Sequence, residues 1–101
     1  MFGKMGDMMG KLQEMKKKAE EMKQKLDDTV LSVEGAGGDI KIQITGNRLV
    51  KSVTVSAALQ HGDKALLEKE LLAAMNKAIE QANKVNEEEM KKAASGLLPG
   101  M

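Results

Sequence analysis

Met5, Met8, Leu12, Met15, Ala19, Met22 and Leu26 recur at alternating spacings of three and four, which is the signature of one apolar edge on a long α-helix. With Met5 at position a of a heptad, Lys4, Lys11, Lys18 and Lys25 fall at g, and Lys16 and Lys23 fall at e. The acids Asp7, Glu14, Glu20, Glu21, Asp27 and Asp28 all fall at b or c. The helix therefore has an apolar edge, two basic shoulders and an acidic back. Two copies paired along this edge would set lysine against lysine, so a self-paired coiled coil is disfavoured electrostatically. The edge is expected to pack on something else and to leave its lysines for an anionic partner.

From Thr29 the apolar period changes from three or four to two. Leu31 and Val33 alternate with Ser32 and Glu34, Gly35-Ala36-Gly37-Gly38 interrupts, and Ile40, Ile42 and Ile44 alternate with Lys41, Gln43 and Thr45. Gly46-Asn47 is expected to supply the positive φ values of a tight hairpin turn, and Leu49 to Ser56 returns as a third strand with Val53 and Val55 on one face. Lys51 shares that face in simple alternation. Either a bulge resets the register near the turn, or its stem lies along the sheet edge with the ammonium in water.

After the loop Gln60-His61-Gly62, Asp63 reads as the N-cap of a second long helix reaching Ala94. Leu67, Leu71, Ala74 and Ala78, with Met75, Ile79, Ala82 and Val85, form a broad apolar face whose alanines permit close backbone approach. The pattern fails at Asn86-Glu87-Glu88-Glu89, where the helix is expected to leave the body and become solvated. Ser95-Gly96 and Pro99-Gly100 are expected to end it, with a flexible tail from there. The whole is one domain, residues 1–101, with a helix at 5–28, a three-stranded meander at 30–56, a helix at 63–94 and a tail at 95–101. This is an α+β plan, α-β-β-β-α, with one face of an antiparallel sheet covered by helix.

A single aromatic, Phe2, among 101 residues that are 31% charged makes for a thin aliphatic core. A closed two-fold homodimer is the expected remedy. A 24-residue helix runs about 36 Å, whereas strands of seven residues span about 23 Å, so the distal end of the first helix should project and a dimer would carry two arms. There is no cysteine and no apolar run near the roughly 20 residues of a membrane span. No membrane partner and a cytoplasmic location are therefore expected.

The net charge of +1 excludes a polycation that coats nucleic acid by charge alone. A local patch remains, because seven lysines stand against four acids between Lys4 and Lys25. Catalytic chemistry finds no foothold: His61 is a lone loop histidine, the glycine cluster leads into a strand and lacks the phosphate-loop spacing, and Glu87-Glu88-Glu89 reads as a solvated face. The methionines read as adaptable filler at a groove, since a soft-metal site would add cysteine or histidine. The expectation is a non-enzyme with no cofactor, no metal and no small-molecule substrate.

Several short segments, in order, carry a resemblance to a known family. They are the opening Met-Phe-Gly-Lys with its Met-, Gln- and Lys-rich helix, Val33-Glu34-Gly35 before Ile40-Lys41-Ile42, Thr45-Gly46, Val53-Thr54-Val55, Asp63-Lys64, the run Leu71-Leu72-Ala73-Ala74-Met75-Asn76-Lys77-Ala78, and the Gly-Leu-Leu-Pro-Gly-Met ending. Together they resemble the YbaB/EbfC nucleoid-associated proteins of bacteria. The family often has an Asp-Pro segment after its third strand, where this chain has Ser56-Ala57-Ala58-Leu59-Gln60.

The resemblance implies a tweezer-like homodimer that binds double-stranded DNA in the nucleoid and affects its organisation and gene expression. It places DNA contacts at the helix ends, which here means Lys4, Lys11, Lys16, Lys17, Lys18, Lys23 and Lys25 on the first helix, and Lys91 and Lys92 beside the tail. Arg48 is the single arginine and sits at a turn, so backbone and shape recognition is expected over base reading. A non-enzymatic protein-binding or chaperone-like clamp with Met-rich arms is the alternative.

Overall fold

The computed structural model describes residues 2–97, with side chains described over 8–95. In chain order come α1 (Phe2–Asp28), β1 (Val30–Gly35), a 3-10 turn at Ala36–Gly38, β2 (Ile40–Thr45), β3 (Val50–Val55), a four-residue helix α2 (Ala57–Gln60) and α3 (Lys64–Leu97). The three strands pair antiparallel in the order β1-β2-β3. The expected α+β class is the one observed.

Strict alternation in β2 puts Ile40, Ile42 and Ile44 on one face, where all three are fully buried. Gly35, Val33 and Leu31 stand opposite them on β1, and Val55, Val53 and Val50 on β3. Helix α3 lies over β1 and β2 and lays Ala74, Ala78 and Ala82 against the isoleucines, all three alanines buried. Short side chains let the helix come very near the sheet. At Gly35 the fit is tight enough that an added Cβ would stand 2.6 Å from the Ala74 Cβ. The other sheet face, with Ser32, Glu34, Lys41, Gln43, Ser52 and Thr54, faces water.

Of the two options for Lys51, the bulge is observed. Ile44 pairs with Val50 and Gln43 pairs with Ser52, which leaves Lys51 as the extra residue. The turn before β3 departs from expectation. The positive φ falls on Arg48 (67°), and neither Gly46 nor Asn47 is left-handed. Gly46 serves close approach instead, since a Cβ there would meet the Leu26 Cδ2 at 2.8 Å and its carbonyl oxygen at 3.2 Å.

That glycine joins three elements. Its N–H donates to the carbonyls of Leu26 (3.1 Å) and Thr29 (3.0 Å) at the end of α1. Its own carbonyl accepts from Asn86 Nδ2 of α3 at 3.1 Å. Beside it, Asn47 Nδ2 donates to the Lys23 carbonyl (3.0 Å) and to Asp27 Oδ1 (2.6 Å), so side chain and backbone of the turn both hold the last turns of α1.

Two further segments correct the expectations. Residues 57–60 form a helical turn rather than a loop, because Ser56 Oγ accepts from the Leu59 N–H (3.2 Å) and Leu59 then drops into the core. Helix α3 does not leave the body at Asn86: that residue is buried on Gly46, and the helix continues through Ser95 to Leu97. The rest of the expected tail, 98–101, lies outside the described residues. At the other end of α3, Asp63 Oδ1 accepts from the Ala65 N–H (3.1 Å), as an N-cap should. The chain is elongated, 71 × 23 × 17 Å.

Candidate nucleic-acid interface

The apolar edge of α1 meets two different environments. Leu26 is buried at the Gly46 turn and Met22 is half-buried beside α3, whereas Met8, Met9, Leu12 and Met15 are exposed, at 50% or more. The first half of the described helix therefore projects with its methionines and lysines facing solvent. Lys11, Lys16 and Lys17 lie on this projecting part, and Lys23 lies near the docked end; all four are exposed. Lys16, Lys17 and Lys23 make no ion pair among the described residues. The side chain of Lys4 lies outside the described residues.

The remaining expected site residues divide. Lys18 pairs with Glu14 one turn earlier at 3.5 Å. Lys25 crosses to α3, where its Nζ is 3.0 Å from Glu89 Oε2. Lys92 reaches the other oxygen of the same carboxylate at 3.7 Å. Lys18, Lys25 and Lys92 thus border one open groove between α1 and α3, of about 320 Å³, with Glu21 and Glu89 as its acids. Lys91 is exposed and, about 200° around the helix from Glu89 at roughly 100° per residue, stands away from the groove.

The electrostatics of the groove centre on Glu89. The hydrogen bond from Lys25 holds its carboxyl below the usual glutamate range, helped by the charges of Lys25 and Lys92 and opposed by partial burial. The lysines themselves keep their ammonium groups largely in water, with Lys25 at 61% and Lys92 at 69% side-chain exposure. In this arrangement three exposed or half-exposed ammonium groups border the groove, each paired with a carboxylate. Among the described residues no cluster of His, Asp or Glu is placed to hold a metal ion, and no helix is long and apolar enough to cross a membrane.

A first helix that projects from an α-β-β-β-α frame, with lysines along it, matches what helix length and lysine spacing lead one to expect. The YbaB/EbfC DNA-binding family matches residues 1–97. The chain belongs to this family. Among its relatives, a nucleoid-associated protein of Hahella chejuensis is 38% identical over 95 residues, covering 94% of this chain and 88% of that one. A nucleoid-associated protein of Flavobacterium johnsoniae is 40% identical over 76 residues, with coverages of 75% and 71%. The crystal structure of an uncharacterized protein from Helicobacter pylori superposes with a TM-score of 0.65 at 24% identity, covering 86% of this chain and 98% of that chain, and supports the fold.

Sequence reasoning missed the residues that set the arm. In the sequence Glu89 belongs with its neighbours to a charged run, and Asn86 stands where the apolar pattern stops. A signal was present: Ala78, Ala82, Asn86, Glu89 and Ala93 continue spacings of four, four, three and four. The helix keeps its inward edge through two polar residues, because each finds a polar partner on the body.

Proposed function

We propose that two copies of this chain form a tweezer-like dimer whose α1 helices embrace duplex DNA through phosphate contacts, within the nucleoid of a bacterial cell. The observation that carries this reading is the projecting, lysine-bordered first half of α1 in a member of a DNA-binding family. The names of the relatives supply the nucleoid.

The dimer rests on a second surface. Lys77 Nζ donates to the Glu34 carbonyl on β1 (3.0 Å), while Arg48 Nε donates to Asn83 Oδ1, so one flank of α3 faces β1 and the other faces the β2–β3 turn. Leu72, Met75 and Ile79 share the Asn83 flank by spacings of three and four, and all are exposed. They lie on the side where Val50 and Val53 of β3 are also uncovered, at 41% and 45%. An apolar surface of this kind, formed by helix and edge strand together, suits a self-complementary contact. Sedimentation of the full chain at micromolar concentration should return a dimer, and a stable monomer would remove the tweezer.

With about three lysines of each arm on phosphates, the log–log salt slope of binding should be roughly −5. Fluorescence anisotropy of a labelled duplex of about 30 base pairs, titrated at two salt concentrations, tests this directly. Steep weakening with salt, and loss of binding in the triple variant Lys16→Glu, Lys17→Glu, Lys18→Glu, support the reading; no binding at low salt overturns it. Similar affinity for unrelated duplexes is expected, since phosphate contacts carry no base sequence.

The exposed Met8, Met9, Leu12 and Met15 favour a second reading, a clamp on apolar segments of a protein partner. Such binding would be insensitive to salt and would weaken in the double variant Met8→Ser, Met15→Ser.

A further inference from the structure

Of the nine lysines that the resemblance places on DNA, two are bound in the free chain by one carboxylate. Glu89 presents Oε2 to Lys25 (3.0 Å) and Oε1 to Lys92 (3.7 Å), so its two oxygens are divided between cations from two helices. Its side chain is 16% exposed, while both lysines remain mostly in water. The pairing is therefore not a buried ion pair but a carboxylate set at the floor of a groove with cations at its rim. Across the rim stands Lys18, whose ammonium is engaged by Glu14, and Glu21 lines the groove as its second acid.

A phosphodiester has the features that this groove accommodates: a single negative charge and two terminal oxygens that accept hydrogen bonds from ammonium groups. Lysine suits such an exchange because its ammonium is a compact charge on a flexible stem and turns between partners without loss of geometry. Glu89 itself is fixed by the helix on which it lies and by Asn86 one turn earlier, which is held on Gly46. The cations can swing outward while the carboxylate stays.

We infer that Glu89 is an internal competitor for the DNA backbone, its carboxylate holding in the free chain the ammonium groups of Lys25 and Lys92 that a phosphate takes in the complex. This rests on the reading that the chain binds duplex DNA. Its consequence is a tuned, weakened contact: each groove offers the phosphate one net charge fewer than its lysines alone would provide. Removing the carboxylate charge should restore about one released counterion per groove.

The test compares wild type, Glu89→Gln and Glu88→Gln on the same 30-base-pair duplex across a salt series. Glu88 is exposed and makes no ion pair among the described residues, so its variant makes the same change in net charge away from the groove. Glu89→Gln should bind several-fold more tightly at low salt, with a log–log slope steeper by about 2 for a dimer with two grooves. Adding Lys25→Gln to Glu89→Gln should bring the slope back toward wild type. Binding by Glu89→Gln that equals or falls below wild type overturns the inference and leaves the DNA reading standing, as does an equal gain in Glu88→Gln. Absence of binding by wild type removes both.

A measurement on the unmutated chain guards against a variant that folds poorly. The groups facing Glu89 are Lys18, Glu21 and Lys25 from α1 and Lys92 from α3. When the duplex takes the lysines, the carbon-13 titration of the Glu89 carboxyl should move upward, because two cations leave and a phosphate arrives. An unchanged titration in the complex overturns the inference.

Discussion

The two long helices carry apolar residues at the same spacings, yet one is absorbed by the sheet and the other escapes from it. In α3 the inward positions are Ala74, Ala78 and Ala82, all buried against Ile40, Ile42 and Ile44. In α1 they are mostly methionine and leucine, and among the described residues only Leu26 is buried. Periodicity announces a face; side-chain volume decides what it meets. Alanine brings a helix close to a sheet of branched residues, where the helix gains dispersion contacts along its length. Long flexible side chains hold neighbouring backbone away and conform to a surface not yet present.

The sharpest way to break this contrast is to delete volume from each side of it. Ile42→Ala removes a buried side chain from the face on which α3 sits and should cost about 2–5 kcal/mol in denaturant unfolding. Leu12→Ala on the projecting arm should change stability by less than about 0.5 kcal/mol. A large loss in Leu12→Ala would mean that the arm is covered in solution. Next in size is Gly46→Ala, which forces a Cβ against the side chain and carbonyl of Leu26. A cost of about 1–3 kcal/mol is expected, with amide exchange quickened first at the end of α1 and in the turn.

The smallest effect concerns the ion pair that ties the docked end of α1 to α3. Hydrogen bonding from Lys25 lowers the Glu89 carboxyl below its ordinary 4.5 in the folded chain, so the pair stabilises docking at pH above that value. The contribution is lost as pH falls through the lowered folded value. Carbon-13 titration of Glu89, followed beside amide signals of α1 and β2, should show α1 responding in that acid range while β2 does not. Equal responses in both would mean that the docked end and the core loosen as one unit.

Much of the frame was legible because its causes are local. Ile40, Ile42 and Ile44 alternate with polar residues since the sheet has one wet face, and Asp63 stands where a helix must begin. The bulge at Lys51 was visible as one of two ways to resolve a lysine on an apolar face. What escaped were roles defined across the chain. Gly46 carries the mark of a turn glycine, but its need comes from Leu26, twenty residues earlier, while the left-handed position of the turn went to Arg48. Asn86 and Glu89 are polar letters on an inward edge, explained only by a carbonyl at Gly46 and an ammonium at Lys25. For the lysines, sequence and resemblance named the candidates; their division between the projecting arm and the α1–α3 groove depends on where α3 ends.

The peptide units flanking Gly46 form the fulcrum of a lever. They hold Leu26 at one end of α1, and Met8, eighteen residues away, stands about 27 Å out along the helix. A rotation of about 10° at the fulcrum carries that point through about 5 Å. The reach of the arm is thus set near its base, by the hydrogen bonds at Gly46 and the Lys25–Glu89 pair, while its far end remains uncovered.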